Sequence, residues 1–365
     1  MEEKSLAICF VVVLVNFSAF VRGKCPCEDK ALCEPIARPQ GKEFLMFSTK
    51  PNDWKKYDWT KVTTIALFRP WDDELMCEAH KRGVRVVLAA NFPTEKLGNK
   101  ELRTKWIKNL TKETLARHAD GVNIDIESPI PKRSRDVTLL TKLVNETRTA
   151  FRQVMKHSQV SFDVAWSPDC IDGRCYDAEA LSKVVDFLVI MAYDEQSQIK
   201  GDCIAKANSP LNQTTHAVGE YLALGIKPEK LVLGLPWYGY DYPCIELTDD
   251  RICSIKHVPF RGVNCSDAAG RQIEYAEIED LVVSRATVGP QWDEDTASYF
   301  FNYEDSVGGK HQVWYDNPYS LKAKYKFAAE NGLNGVAIWN ADLLDYSDIP
   351  RAREETKNMW DALQH

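Results

Sequence analysis

The chain has 365 residues, of which 46 are Lys or Arg and 53 are Asp or Glu, and its formal net charge at pH 7 is −7. The basic residues are scattered along the chain. This disfavours a nucleic-acid partner, because nucleic-acid-binding domains concentrate their basic residues in a patch. The sequence shows no internal repeat and no low-complexity linker, so we expect one large domain after the N-terminal segment.

The N-terminal 23 residues predict a cleaved secretory signal peptide. Lys4 precedes a mainly apolar run at residues 6–20, and Gly23 lies near a plausible cleavage site. The run is shorter than the ~20 residues of a membrane-spanning helix, and a short membrane anchor is the alternative. We therefore expect a chain that enters the secretory pathway and has no membrane partner.

The cysteines indicate an oxidising compartment. All of the 11 cysteines except Cys9 follow the predicted signal peptide, and the resulting even number predicts disulfides without revealing their connectivity. Cys170 and Cys175 are candidates for a local pair. A metal site at Cys25 and Cys27 is the weaker alternative, because no second Cys pair and no His pair lies at ligand spacing. We expect no bound metal.

Four Asn-x-Ser/Thr sequons predict a glycosylated surface for a chain that passes through the secretory pathway. The acceptor residues are Asn109, Asn145, Asn212 and Asn264. One sequon alone is a weak signal, but together with a signal peptide the four indicate a glycoprotein.

Short β-branched runs alternate with longer helical patterns, which is typical of βα units and a parallel sheet. Eight strands are predicted, at residues 44–48, 64–68, 84–90, 121–127, 160–166, 187–193, 231–238 and 335–339. The strand at 84–90 is nearly all apolar, as expected for a strand that is buried on both faces. Eight strands with helices between them favour an α/β fold, the (β/α)8 TIM barrel, and a doubly wound sheet is the alternative.

Two segments carry helical signals that are clear enough to set boundaries. In residues 136–157, apolar residues recur at spacings of three, four or their sum, and Ser134 or Asp136 can cap the start of the helix. Residues 319–331 form the second predicted helix, which ends at Gly332. The buried face predicted for the first helix consists of Val137, Leu140, Val144, Phe151 and Val154.

Residues 241–312 break the alternation and predict a small insertion between the seventh and eighth strands. Two strand-like runs in and beside this segment, 298–303 and 311–315, flank Gly308 and Gly309, which predict a hairpin turn. We therefore expect a signal peptide at 1–23 and a barrel at 24–365 that contains this insertion.

The fourth predicted strand carries the strongest functional signal. Because side chains alternate along a strand, Asn123, Asp125 and Glu127 share one face, and apolar residues occupy the other. We expect the polar face to point into the barrel, where carboxylates are costly unless they are used or paired. Glu127 then lies at the carboxyl end of its strand, where barrel enzymes place their reactive groups. A structural, salt-bridged set of carboxylates is the alternative.

Other strand ends supply aromatic and polar candidates. Tyr193 and Asp194 follow the sixth strand, and Trp339 ends the eighth. The flat face of a tryptophan suits the apolar side of a sugar ring, although tryptophans are also common in cores. Trp166 and Trp237, near the ends of the fifth and seventh strands, are weaker candidates for the same contact.

Residues 120–127, Asp-Gly-Val-Asn-Ile-Asp-Ile-Glu, resemble the strand-four signature Asp-Gly-x-Asp-x-Asp-x-Glu of glycoside hydrolase family 18, the chitinase-like hydrolases. Residues 191–194 and 233–239 resemble the family's motifs on strands six and seven, and residues 314–316 and 336–339 resemble its last segments. The resemblance covers almost the whole chain after the signal peptide, and the strand-four motif is highly specific.

The resemblance implies a retaining, substrate-assisted hydrolysis of β-linked N-acetylglucosamine that requires no metal and no cofactor. Glu127 would protonate the glycosidic oxygen and later activate water, while the substrate's own 2-acetamido oxygen attacks the anomeric carbon. Asp125 would hold the acetamido N–H and stabilise the developing positive charge, and Tyr193 would hydrogen-bond the acetamido carbonyl. Asp194 and Trp339 would contact the sugar.

Asn123 departs from the family signature, because it places an amide where the signature has a carboxylate. An aspartate at this position could share a proton with Asp125, so its absence predicts that Asp125 stays ionised to lower pH. We also expect Asn123 to offer an N–H donor in the substrate site.

Within the family, the chain is similar to lysosomal members that cleave the GlcNAc-β1,4-GlcNAc (chitobiose) core of asparagine-linked oligosaccharides. The expected function is therefore that of a lysosomal, monomeric glycosidase that acts on oligosaccharides and releases the reducing-end GlcNAc. A secreted chitinase that acts on chitin oligomers is the first alternative. A non-catalytic chitin-binding lectin is less favoured, because Glu127 is present.

Overall fold

The computed structural model describes residues 25–27, 29–37, 41–195 and 201–363. The predicted signal peptide lies outside the described residues. Within them, no helix combines the length and the apolar character that crossing a bilayer requires.

Eight parallel strands close into a barrel. Strands are numbered in chain order, and β8 to β14 belong to other sheets. The barrel strands are β1 (Glu43–Ser48), β2 (Thr64–Leu67), β3 (Arg85–Ala90), β4 (Gly121–Ile124), β5 (Gln159–Ala165), β6 (Phe187–Met191), β7 (Leu231–Pro236) and β15 (Gly335–Trp339). Each strand pairs with its sequence neighbour, and β15 closes the ring between β7 and β1. The predicted TIM barrel is confirmed, and the doubly wound alternative is wrong, because a closed ring has no edge strand.

Helices follow the barrel strands and cover the outside of the ring. They are α1 (Asp73–Lys81), α2 (Lys100–Ala116), α3 (Arg135–Val154), α4 (Ala178–Val184), α5 (Leu211–Ala223), α7 (Pro318–Glu330) and α8 (Pro350–Ala362). The Ser134 hydroxyl accepts the Asp136 N–H and caps α3, while Asn317 caps α7. Val154, the last residue of α3, is 50% exposed, so its predicted place on the buried face is wrong.

Between β7 and β15 the chain forms a second, antiparallel sheet. Its strands are β8 (Tyr238–Pro243), β11 (Arg271–Glu274), β12 (Ala286–Asp293), β13 (Ser298–Glu304) and β14 (Lys310–Tyr315), in the order β11-β8-β14-β13-β12. The loops between β8 and β12 also hold the small pair β9 (Glu246–Thr248) and β10 (Ile252–Ser254), and the helix α6 (Tyr275–Ser284). The predicted hairpin is present as β13 and β14. The sheet extends a few residues beyond 241–312 at both ends.

The apolar side chains of the barrel strands form two separate clusters, because successive residues of a strand point to opposite faces of the sheet. Val122, Ile124 and Ile126 are fully buried in the cluster that joins the barrel to the helices. Asn123, on the opposite face of β4, is also fully buried. A separate apolar cluster consists of Leu45, Phe47, Ala66, Val87, Phe187, Val189, Val232 and Ala337. The apolar face of the fourth strand therefore packs as predicted.

Five disulfides join the cysteines that follow the predicted signal peptide. They link Cys25–Cys77, Cys27–Cys33, Cys170–Cys175, Cys203–Cys265 and Cys244–Cys253. The candidate local pair, Cys170 with Cys175, is therefore present. The metal site considered at Cys25 and Cys27 is wrong, because metal ligation needs thiolates and both sulfurs are disulfide-bonded.

The four sequon asparagines all have exposed side chains in the structure, at residues Asn109, Asn145, Asn212 and Asn264. Exposure leaves each of them accessible to a glycan. Glycosylation itself stays a prediction.

Glu195, just after β6, is predicted to stabilise the fold more at acidic pH than at basic pH. Its Oε1 accepts a hydrogen bond from the Thr214 hydroxyl, and burial raises its pKa from 4.5 to about 8. The folded state therefore holds a proton that the unfolded state loses. The stabilisation is complete below about pH 4.5 and is lost as the pH rises through about 8. We expect a Tm that is lower by several degrees at pH 8 than at pH 5, measured by calorimetry.

The Glu195→Gln variant isolates this contribution, because glutamine keeps the acceptor for Thr214 and cannot ionise. We expect a smaller fall in Tm between pH 5 and pH 8 than in the wild type. Glu304→Gln, at the exposed end of β13, is the matched control and should keep the wild-type slope. An unchanged slope in Glu195→Gln would contradict the assignment.

Candidate active site

The backbone after β4 leaves the sheet earlier than the sequence predicts. The β-ladder ends at Ile124, although the Asp125 N–H still donates to the Ala90 carbonyl at 2.9 Å. The Tyr176 hydroxyl lies 2.9 Å from the Ile126 carbonyl and 2.6 Å from the Ser128 carbonyl. The Tyr176 hydroxyl thus occupies backbone carbonyls that would accept hydrogen bonds from a neighbouring strand if β4 were longer. The predicted strand 121–127 is three residues too long for this reason, and Tyr176 fixes the exit.

Glu127 projects from this exit into solvent. Its side chain is 55% exposed, and the Arg174 Nη1 donates to its Oε2 at 2.7 Å. Arg174 lies in the short loop that the Cys170–Cys175 disulfide closes, and only 10% of its side chain is exposed. The cavity beside Glu127 has a volume of about 200 Å³ and is lined by Glu127, Trp166, Asp172, Arg174, Met191, Tyr193, Asp194, Tyr240, Phe260 and Asp267.

Behind Glu127 lies a group of buried polar side chains. The Asn123 Nδ2 donates to the Ser161 Oγ at 3.0 Å and to the Asp163 Oδ1 at 2.8 Å. Burial and the charge of Glu127 raise the pKa of Asp125 to about 7, against the opposing effect of Arg174. Burial and the charge of Asp125 raise the pKa of Asp163 well above its ordinary value.

The expectation that Asn123, in place of an aspartate, keeps Asp125 ionised to lower pH stays a prediction, and burial and the charge of Glu127 oppose it by raising the pKa of Asp125. The amide at Asn123 does remove one carboxylate from β4. However, Asp163 on β5 brings another carboxylate to the same group of buried side chains, and it is the acceptor of the Asn123 amide. Burial, which has the largest effect, and the charge of Glu127 are what raise the pKa of Asp125.

Sequence reasoning missed Asp163, although a signal was available. The alternation that we applied to the fourth strand also applies to β5, where Gln159, Ser161 and Asp163 share a face and are all buried. An acid on the interior face of a barrel strand is as unusual there as it is on β4.

Tyr193 and Asp194 follow β6 and line the cavity, as the sequence predicts. The Asp194 Oδ1 accepts hydrogen bonds from the Tyr238 hydroxyl at 2.5 Å and the Tyr240 hydroxyl at 3.0 Å. Burial raises the pKa of Tyr193 well above its ordinary value, so its hydroxyl stays protonated and can donate a hydrogen bond. Asp194 is thus held by the second sheet, and Tyr193 offers a donor.

The candidate tryptophans differ in their position relative to the cavity and in their contacts. Trp339, at the end of β15, is partly buried and meets Phe47 and Phe68 edge-on, at centroid distances of 5.1 and 5.3 Å. Trp339 and Tyr193 pack against the same apolar cluster. Trp166 lines the cavity, and its indole N–H has no hydrogen-bond partner among the described residues.

Trp237 does not belong to the site. It is fully buried, its Nε1 donates to the Tyr325 hydroxyl at 3.3 Å, and its ring packs against Trp360. The weaker suggestion that it contacts a sugar is therefore wrong.

Arg174 was not found from the sequence, and its contact with Glu127 predicts a measurable effect. The positive charge of Arg174 lowers the pKa of Asp125. Replacing Arg174 with methionine should therefore raise the pKa of Asp125 above its wild-type value, by about half a unit or more, in a 13C NMR titration of the aspartate carboxyls.

Arg261→Met is the matched control for this variant. Arg261 pairs with Asp172, in the same disulfide-closed loop, and the structure gives it no contact with Glu127. We expect the control to leave the Asp125 titration in place. An equal shift in both variants would mean that the loop, and not the Arg174 charge, sets this pKa.

Comparison with known proteins identifies the family. The family model described as Glycosyl hydrolases family 18 matches residues 42–343. The chain is 48% identical over 340 residues to the di-N-acetylchitobiase of Rattus norvegicus, covering 93% of this chain and 92% of the relative. It is 44% identical to the di-N-acetylchitobiase of Homo sapiens, with 93% and 88% covered. A chitinase from Cycas revoluta, solved in complex with (GlcNAc)3, has the same fold, with a TM-score of 0.70 and 18% identity over 88% of this chain and 100% of that one.

Proposed function

The chain belongs to glycosyl hydrolases family 18, and we propose that this glycoside hydrolase cleaves the β1,4 bond of the GlcNAc-GlcNAc (chitobiose) core of asparagine-linked oligosaccharides. Two relatives that are named di-N-acetylchitobiase and cover most of both chains, at 44% and 48% identity, support a chitobiose substrate. The observation that carries the catalytic proposal is the pairing of an exposed Glu127 with the more deeply buried Asp125 behind it.

Glu127 acts as the acid and later as the base. Its carboxyl borders the cavity and is exposed, so it can reach both a glycosidic oxygen and an incoming water. Arg174 holds one carboxyl oxygen, and its charge stabilises the carboxylate that remains after the proton has been given to the leaving group.

The substrate's 2-acetamido group acts as the nucleophile, so the reaction retains the anomeric configuration. Asp125 holds the acetamido N–H and opposes the positive charge of the oxazolinium ion that forms. The Tyr193 hydroxyl donates to the acetamido carbonyl oxygen. In the protein, Asn123 supports this group of side chains through Asp163.

Asp194 and Trp339 contact the sugar. Two tyrosine hydroxyls hold Asp194 at the cavity wall, and Trp339 presents an aromatic face at the end of β15. Trp166 lines the same cavity.

The cavity suits a short substrate. Its volume of about 200 Å³ lies below the roughly 300–1,000 Å³ of pockets that hold drug-sized ligands. Phe260, from the insertion, lines the cavity, and the neighbouring Arg261 pairs with Asp172, another lining residue. This contact narrows the space beside Glu127 and favours cleavage at the end of an oligosaccharide, with release of the reducing-end GlcNAc.

We propose delivery to the lysosome through the secretory pathway, as a monomer. The disulfides and exposed sequon asparagines are compatible with secretory passage, and the buried acids are compatible with stability at low pH. Secretion is the alternative destination.

The test is incubation of the purified protein, at acidic pH, with chitobiose-core oligosaccharides and with polymeric chitin. We expect release of one reducing-end GlcNAc from the first and little product from the second. Chitobiose as the main product from chitin would support a chitinase instead. Sugar binding without any product would support a lectin.

A further inference from the structure

Asp163 is a fully buried carboxyl that the proposed mechanism does not use. It lies on β5, at 3% exposure, and one of its oxygens accepts the Asn123 Nδ2 at 2.8 Å. A buried carboxyl of this kind is costly unless it is paired or protonated, so its place beside the catalytic acids calls for an explanation.

The strand register and the Asn123 hydrogen bond place Asp163 at the same end of the barrel as Asp125. The ladder between β4 and β5 pairs Gly121 with Gln159 and continues to Ile124 with Phe162. Asp163 follows Ser161, the partner of Asn123, by two residues, just as Asp125 follows Asn123. The ladder itself ends at Ile124, and the charge of Asp125 acts on Asp163. Neighbouring strands lie about 4.8 Å apart, and side chains at paired positions point to the same face.

Among the described residues, buried acceptors without a donor lie at Asp125 and Asn123, which is compatible with a proton between Asp125 and Asp163. The Oδ1 of Asp125 and the Oδ1 of Asn123 are buried acceptors without a hydrogen-bond partner in the part of the chain that the structure describes. A buried acceptor without a donor is destabilising. A proton on Asp163 could supply a donor to one of these two acceptors, the Oδ1 of Asp125.

We propose that Asp163 is a positioning residue that shares a proton with Asp125 and thereby replaces the carboxylate that Asn123 removes from the strand-four motif. The shared proton orients Asp125 and lets it carry its negative charge when positive charge develops on the substrate. This inference rests on the proposed function, in which Asp125 stabilises the oxazolinium ion.

The charges around the pair agree with a shared proton. Burial and the neighbouring carboxylates raise the pKa of both residues, which favours a proton held at this pair. The other titratable and charged groups that face the pair or line the adjoining cavity are Glu127, Asp172, Arg174, Tyr176, Tyr193, Asp194, Tyr240 and Asp267.

The test compares three variants. In Asp163→Asn, the new amide oxygen can still accept from Asn123, but a weaker amide N–H, which cannot be shared as a proton, replaces the carboxylic-acid donor to Asp125. We expect kcat to fall by about tenfold or more with KM within about threefold, and the limb of the pH–kcat profile at which Asp125 ionises to move up by about one pH unit. The double variant Asn123→Asp with Asp163→Asn returns a carboxyl to β4 and should recover kcat and the position of that limb.

Ser161→Ala is the matched control, because Ser161 accepts from the same Asn123 amide at 3.0 Å but does not ionise in this pH range. It should leave the limb in place. A wild-type profile in Asp163→Asn, a similar shift in Ser161→Ala, or no recovery in the double variant would each overturn the proposal.

A titration of the wild-type protein needs neither a foldable variant nor a known substrate. In 13C NMR of labelled aspartate carboxyls, a proton-sharing pair gives two coupled steps that both residues report. Independent single-step curves for Asp125 and Asp163 would overturn the proposal even if the protein cleaves chitobiose. Coupled curves in a protein that cleaves no sugar would leave the pair intact and refute only the proposed function.

Discussion

Glu127→Gln should lower kcat on chitobiose-core oligosaccharides by about a thousandfold, since the variant keeps the size of the side chain and removes its proton. Arg174 can still donate to the new amide oxygen, so the local hydrogen bond survives. KM should change little, because the proton is transferred only in the transition state. The measurement is steady-state kinetics at acidic pH with purified, folded protein.

The leaving group provides an internal control for the Glu127 prediction. An aryl N-acetylglucosaminide with an acidic phenol needs less protonation, so the loss in the bond-breaking step should be smaller for it than for a sugar leaving group. The same variant should lower the pKa of Asp125, because the charge of Glu127 raises it in the wild type. Retained activity toward the oligosaccharide would remove Glu127 from the acid role.

Asp125→Asn should lower kcat by about a hundredfold or more while KM stays within about threefold. The amide has nearly the shape of the carboxylate but carries no negative charge. The variant loses the electrostatic stabilisation of the oxazolinium ion, whose positive charge is absent from the bound substrate. The loss of this stabilisation should therefore lower kcat and leave KM nearly unchanged.

The substrate can be varied to confirm what Asp125 does. Fluorination of the acetamido methyl group makes the acetamido oxygen a weaker nucleophile, so the wild-type rate should fall steeply along a series with more fluorine. Asp295→Asn, an exposed aspartate outside the cavity, serves as the control for an Asp-to-Asn change and should keep the wild-type kcat. A wild-type rate that does not respond to fluorination would rule out acetamido participation.

The sequence by itself determined the alternation of strands and helices and the two faces of the reactive strand. Eight β-branched runs with helices between them predicted the elements, because the hydrophobic period of each element is a local property of the chain, and they favoured a closed barrel over a doubly wound sheet. The same alternation placed Val122 and Ile124 in the helix layer and Asn123 on the other face. Glu127, Tyr193 and Asp194 follow from strand ends and appear together at one cavity.

The tertiary structure alone decided which groups act on these residues. Asp163 reaches Asn123 across the register of two strands, and Arg174 reaches Glu127 from a loop that is 47 residues away in the sequence. Tyr176 ends the fourth strand early from a distance of 50 residues in the sequence. Burial and neighbouring charges, which raise the pKa of Asp125, are sums over residues from several elements. No local pattern encodes such a sum, because it depends on which distant side chains the closed barrel brings together.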